Sequence, residues 1–140
     1  MNILVRIIIA LIMTVLSSSI ENQDQHAITV VVNGINSNKG KVLLALYNSE
    51  NEFLKTVYKG KKSDITNNSC QVIFEDVPSG IYAVSIFHDE NDNGKMDTNF
   101  MGIPKEDYGC SNNAKGFMGP PKWGDANFEL NNDQTITITL

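Results

Sequence analysis

From residue 27 onward the chain alternates apolar and polar side chains with a period of two, the spacing of β-strands. "AITVVV" (27–32) is β-branched and stops at Gly34. "GKVLLALYN" (40–48) is apolar on both sides, with Val42, Leu44 and Leu46 facing one way and Leu43, Ala45 and Tyr47 the other. A strand of that kind is expected at the centre of a sheet, covered on both faces. "SCQVIFEDV" (69–77) sets Cys70, Val72 and Phe74 against Gln71 and Glu75. After the turn signal "PSG" (78–80), "IYAVSIFHD" (81–89) places Tyr82, Val84 and Ile86 on one face. The short connection predicts a hairpin between these two strands. "ANFEL" (126–130) and "TITITL" (135–140), joined by "NNDQ", are expected to form the last pair. Residues 49–62 are ambiguous and have room for a short helix near Phe53 and then an edge strand that ends at the Gly60 turn.

About seven short strands with turns between them predict an all-β fold: an antiparallel, Greek-key, immunoglobulin-like β-sandwich. Residues 90–125 interrupt the rhythm and show no convincing strand. Connections beyond about 12–15 residues are uncommon unless functional or packed on themselves. This one carries six glycines, three prolines and the apolar residues Phe100, Met101, Tyr108, Phe117, Met118 and Trp123. Such content predicts an ordered Ω-like loop rather than a disordered one. No fixed-period repeat appears.

The N-terminus has a different character. Arg6 precedes an apolar run from Ile7 to Leu16, followed by Ser17, Ser18 and Ser19. A charged start, a short apolar core and small residues predict a signal peptide over 1–19, with a retained anchor as the alternative. The run is too short to span a bilayer comfortably, so no stable membrane span is expected after cleavage. Residues 20–140 then form a single β-sandwich domain, exported to the periplasm, cell surface or medium. Without Arg6, ten basic residues face sixteen acidic ones, a net charge of −6. That balance disfavours phosphate backbones, hence nucleic acid. Export also permits a disulfide between Cys70 and Cys110, with two free thiols as the alternative.

The stretch "HDENDNGKMD" (88–97) carries the most specific local chemistry. Counted from Asp89, oxygen-bearing side chains fall at positions 1, 3, 5 and 9 (Asp89, Asn91, Asn93, Asp97), with Gly94 at 6 and the Lys95 carbonyl at 7. This matches the first part of a calcium loop. Position 12 is Phe100, where a helix-loop-helix calcium site has a bidentate Glu, so an EF-hand is excluded. Glu106, Asp107 and Asp125 are the candidates for a further oxygen. A metal-free turn remains open, because "NG" at 93–94 is itself a hairpin signal. A different metal is a third reading, and all-oxygen ligands disfavour zinc and copper.

The blocks H-D-x-N-x-N-G-x-x-D (88–97), G-I-P-x-E-x-Y-G (102–109), S-N-N (111–113) and P-P-x-aromatic-x-D-A (120–126) occur here in order. With "GKVLLALYN" and "FEDVPSG" they resemble the bacterial family catalogued as domain of unknown function 2141, over about the whole chain after residue 19. The resemblance implies a secreted, transthyretin-like or carboxypeptidase-regulatory-like sandwich, and no activity. Cys110 stands where that family usually has an aromatic residue.

The favoured function is a non-catalytic binding or structural module that works through loop 89–125. Calcium would order that loop, and a glycan or a protein would be its partner. Tyr108, Phe117 and Trp123 either stack on a ligand or fill the loop's own core, and Tyr108 and Trp123 are the better surface candidates. An enzyme would have to use His88 with Cys110 or Ser111. A purely structural envelope component without metal is the third option.

Overall fold

A computed structural model describes residues 2–3 and 23–140. The proposed signal peptide falls mainly outside the described residues. The elements are β1 (Gln25–Asn33), β2 (Lys41–Tyr47), β3 (Lys59–Ser63), β4 (Cys70–Pro78), β5 (Gly80–Asp89), β6 (Tyr108–Cys110), a 3-10 turn (Ser111–Asn113), a single helical turn α1 (Trp123–Ala126), β7 (Phe128–Leu130) and β8 (Gln134–Thr139).

Two sheets face each other. One has the order β4-β1-β8, the other β3-β2-β5-β6, with β7 pairing β5 near its start. Alternation decides which side of each strand is buried. Ile28, Val30 and Val32 of β1, Val72 and Phe74 of β4, and Ile136 and Ile138 of β8 meet Val42, Leu44 and Leu46 of β2 and Tyr82, Val84 and Ile86 of β5 in one core. Each fully buried side chain of this type contributes about 1.5–3 kcal/mol. The fold is therefore the expected all-β sandwich, and β2 sits centrally between β3 and β5.

Two expectations of pairing fail. β4 and β5 do not form a hairpin, because β4 pairs β1 and β5 pairs β2. The turn at Pro78–Gly80 carries the chain from one sheet to the other, so the apolar faces of β4 and β5 oppose each other instead of lying side by side. Ser79 N–H donates to Asp24 O (3.0 Å) and Tyr82 Oη–H to Pro78 O (2.7 Å), which pins the crossing. β7 and β8 also separate: β7 is antiparallel to β5, whereas β8 runs parallel to β1. Period-two alternation sets the buried face of a strand and leaves its neighbour open.

The segment 49–62 contains hydrogen-bonded turns around Phe53, not a helix, and Gly60 lies within the edge strand β3 opposite Ala45. The long connection also holds a strand, since β6 adds to β5 with Tyr108 opposite Phe87 and Cys110 opposite Ser85. At the far end of β5, Gly40 makes a close approach. Its φ is +69°, and a Cβ there would lie 2.0 Å from Asp89 O.

Candidate functional site

The acidic turn grows directly from the end of β5. Asp89 is completely buried, and its carboxylate accepts the N–H groups of Asn93 (3.1 Å) and Gly94 (2.7 Å). Asn91 Oδ1 accepts Asn93 N–H (3.3 Å), and Asn93 Oδ1 accepts Lys95 N–H (2.9 Å). Short polar side chains that bond their own backbone two residues on favour such turns. Gly94 has φ +76°, the left-handed conformation that glycine adopts without a Cβ penalty.

Asp97 closes the ring. Its carboxylate accepts Asn91 Nδ2–H (2.7 Å) and Asn93 Nδ2–H (2.9 Å), and its N–H donates to Glu106 Oε2 (3.0 Å). The amides of Asn93 and Asn91 hold the Asp97 carboxyl below its ordinary range, with Lys105 adding to the effect. Asp89, Asn91, Asn93 and Asp97, selected by spacing, are thus brought together, and Lys95 joins through its N–H. Glu106 enters from the segment before β6. Phe100 at position 12 points away and is 97 % exposed. Of the other oxygen candidates, Asp107 bonds Asn36 instead. Asp125 lies in α1, where its carbonyl accepts Asn112 Nδ2–H.

The turn closes as a hydrogen-bonded unit. Among the described residues no three His, Cys, Asp or Glu side chains form a metal-binding group. The Asp97 carboxylate is held by the Asn91 and Asn93 side-chain amides, and the Asp89 carboxylate by backbone N–H groups. One buried atom is left over: Glu106 Oε1 has no hydrogen-bond partner.

Beyond the turn, the loop is tied down at two further places. Asn99 Oδ1 accepts the N–H groups of Met101 (2.9 Å) and Ile103 (3.0 Å), shaping a tight tip over 99–103. The S-N-N block acts as a clamp. Ser111 Oγ, fully buried, accepts Val84 N–H (3.0 Å) and donates to Ala126 O (2.5 Å). Asn112 Nδ2 donates to Asp125 O and Asn127 O, and Asn113 Oδ1 accepts Thr139 N–H.

His88 does not meet either proposed nucleophile. It shares the buried inner side of β5 with Ile86, and its Nε2 hydrogen-bonds Lys39 O (2.7 Å). Cys110 is paired opposite Ser85, on the outer face, and burial pushes its thiol up to about 11. Ser111 binds Val84, four residues from His88, a separation of about 13 Å along a strand. Cys70 belongs to the central core and Cys110 to a second cluster on the outer face of the other sheet, and both thiols are free.

The aromatic expectations divide. Tyr108 is 46 % exposed on the outer face. Trp123 packs edge-on against Phe53 (5.6 Å), so it covers the second cluster and forms no stacking platform with Tyr108. The loop has no apolar interior around Phe117, which is 92 % exposed, as Met118 is at 94 %. Met101 and Met118 instead lie on the rim of an open pocket of about 880 Å³ that Ser85, Phe87, Tyr108 and Cys110 also line, and Phe100 and Phe117, their neighbours in sequence, are exposed. Spacing arguments singled out the acidic turn and passed over this rim. Its signal was a short pentapeptide occurring twice, F-M-G-x-P at 100–104 and 117–121.

Every sequence block of the earlier resemblance now has a place: the acidic turn, the first tip with β6, the Ser111 clamp and α1. The family model described as an uncharacterized protein conserved in bacteria, DUF2141, matches residues 30–138. The chain belongs to DUF2141. The match runs from within β1 to within β8, so in this DUF2141 protein it takes in the long loop. Comparison with curated proteins and with solved structures returns no match.

Proposed function

We propose that this DUF2141 protein is an exported, non-catalytic binding module whose recognition surface is the loop 89–125. One observation carries the reading. Of the twelve large apolar residues exposed among the described ones, six lie between Phe100 and Met118. A concentrated exposed apolar patch on a rigid scaffold is the usual mark of an interaction site. The chemistry of the patch favours an apolar partner over a glycan, since Trp123 is packed against Phe53 rather than set beside Tyr108. The test is the double variant Phe100→Ser/Phe117→Ser, probed with the apolar dye anilinonaphthalene sulfonate. Dye fluorescence should fall severalfold while the unfolding midpoint stays unchanged. Unchanged fluorescence, or a large loss of stability, would refute the reading.

A second feature of the same surface is calcium at its base. Asp89, Asn91, Asn93, the Lys95 carbonyl and Asp97 would supply oxygens, with Glu106 in place of the missing residue at position 12. The buried, unpartnered Glu106 Oε1 favours this reading. The asparagine amides now donate to Asp97 and would have to turn their Oδ1 atoms inward. That reorganisation argues for weak affinity, in the range of about 10⁻⁴–10⁻³ M of extracellular modules. Thermal unfolding with excess Ca²⁺ and with chelator decides it. Ligand at 100 times its dissociation constant should add about 2.7 kcal/mol. No shift at millimolar Ca²⁺ counts against calcium and leaves the loop reading intact.

A further inference from the structure

The two exposed tips of the loop are copies of one pentapeptide, Phe100-Met101-Gly102-Ile103-Pro104 and Phe117-Met118-Gly119-Pro120-Pro121. Both make sharp turns with a residue at positive φ, Gly102 (+77°) in the first and Met118 (+53°) in the second. In the second tip, a Cβ on Gly116 would lie 1.7 Å from Gly119 O, so the turn closes only with glycine there. Residues of both tips line the open pocket together with residues of β5 and β6.

The composition of its walls is selective. Outside residues 1–19 the chain has three methionines, Met96, Met101 and Met118, and all three line this pocket. Three of its four prolines, Pro104, Pro120 and Pro121, line it too. Proline offers no N–H, and a thioether is only a weak acceptor. On the floor, the Ser85 hydroxyl is already hydrogen-bonded to the Tyr47 hydroxyl (3.2 Å). Apart from the Tyr108 hydroxyl, the side chains lining this pocket offer a glycan or a peptide backbone few hydrogen-bond partners. A hydrocarbon chain has no polar groups to satisfy, and flexible methionines repack around it without directional bonds. The volume, about 880 Å³, suits a small molecule, for which pockets run about 300–1,000 Å³.

A smaller pocket of about 330 Å³ adjoins the first and shares Pro104, Tyr108, Gly109 and Cys110 with it. Its lining is charged: Lys105 and Lys115, with Glu106 and Asp107. The two acids already accept hydrogen bonds, Glu106 from Asp97 N–H and Asp107 from Asn36. Among the described residues the one lysine paired with a carboxylate is Lys41, with Asp64, so neither lysine of this pocket is in an ion pair. Residues 95–122 hold four lysines against three acids, in a chain whose net charge is −5.

We propose that the paired F-M-G-x-P tips enclose a site for a long hydrocarbon chain with an anionic head, the chain lying between Met101 and Met118 and the head at Lys105 and Lys115. This rests on the reading of the loop as a recognition surface and names its ligand class. The source is either a free fatty acid or the acyl chain of an anionic phospholipid.

The experiment titrates the purified protein with a fluorescent long-chain fatty acid and, separately, with phosphatidylglycerol vesicles. Saturable one-to-one binding of the free acid identifies the free source, and binding to vesicles alone identifies the lipid. In either case Met101→Asp/Met118→Asp should weaken binding at least tenfold. Lys105→Glu/Lys115→Glu should weaken the acid at least threefold and leave the long-chain alcohol of equal length unchanged. The proposal is overturned by absence of saturable binding in both arms or by indifference to the methionine variant. It is equally overturned if Met101→Asp/Met118→Asp splits a dimer on size exclusion, because the face then joins two copies. Dye binding that depends on Phe100 and Phe117, with binding of neither the fatty acid nor the vesicles, would leave the loop reading standing and remove this ligand.

Discussion

Asp89 is the residue on which the loop's anchorage depends, and Asp89→Ala measures it. The carboxylate is fully buried and accepts two backbone N–H groups, from Asn93 and Gly94. A hydrogen bond to a charged acceptor contributes about 1.5–3 kcal/mol. Asn93 N–H keeps a weaker partner in Asn91 Oδ1 (3.3 Å), whereas Gly94 N–H loses its acceptor entirely. One full loss and one partial loss give about 2–4 kcal/mol. At roughly 4 °C per kcal/mol for a domain of this size, the midpoint falls by about 8–16 °C. Urea unfolding at neutral pH is the assay, with an unchanged m-value as evidence that the unfolded state is the same. Asp89→Asn retains one acceptor oxygen and should fall between the wild type and Asp89→Ala. A loss below about 0.5 kcal/mol for Asp89→Ala would refute the reasoning, since surface substitutions alone reach that size.

Four further outcomes are expected. Ser111→Ala strands Val84 N–H and Ala126 O in the interior and should cost about 2–3 kcal/mol by the same urea assay; a neutral result would mean the S-N-N block is no clamp. The Asp97 carboxyl is depressed, so the stability it lends is complete above the unfolded value of about 3.9 and disappears as pH falls through the lower folded value; the acid limb of the stability curve should flatten in Asp97→Asn. Cys110, raised to about 11 and buried, should resist a thiol reagent at pH 8 until the protein unfolds, and rapid labelling of the native state would contradict its placement in the second cluster. Mass spectrometry of the exported protein should place the new N-terminus near Ser19, and recovery of residues 1–19 would overturn the signal-peptide reading.

How much of this was legible depended on what alternation encodes. The inward sets Val42/Leu44/Leu46, Tyr82/Val84/Ile86 and Ile136/Ile138 were readable because burial follows the two-residue period. Which strands lie side by side was not, because a short Pro-Ser-Gly turn serves a hairpin and an inter-sheet crossing equally well. The parallel alignment of β8 with β1 likewise joins residues more than a hundred positions apart. In the acidic turn, alternate positions of a tight curl converge, so Asp89, Asn91, Asn93 and Asp97 were recoverable from spacing alone. Phe117 runs against the expectation, because apolar content ordinarily marks an interior, and the tips carry that content outward. β6 escaped notice because its three residues include Gly109, whose added Cβ would lie 2.8 Å from Ile138 Cγ2. The position is glycine for close packing of the two sheets, and glycine erases the strand signal.

The central claim is that the sandwich supplies the fold and the long loop supplies the binding surface. Amide NMR shifts of the isotope-labelled protein, titrated with a long-chain fatty acid, test it most directly. The account predicts changes confined to 96–104, 108–110 and 115–121, with the adjoining outer-face residues Ser85 and Phe87, and a silent β4-β1-β8 sheet. An unchanged spectrum would remove the free fatty acid as ligand, and changes centred on that sheet would contradict the central claim.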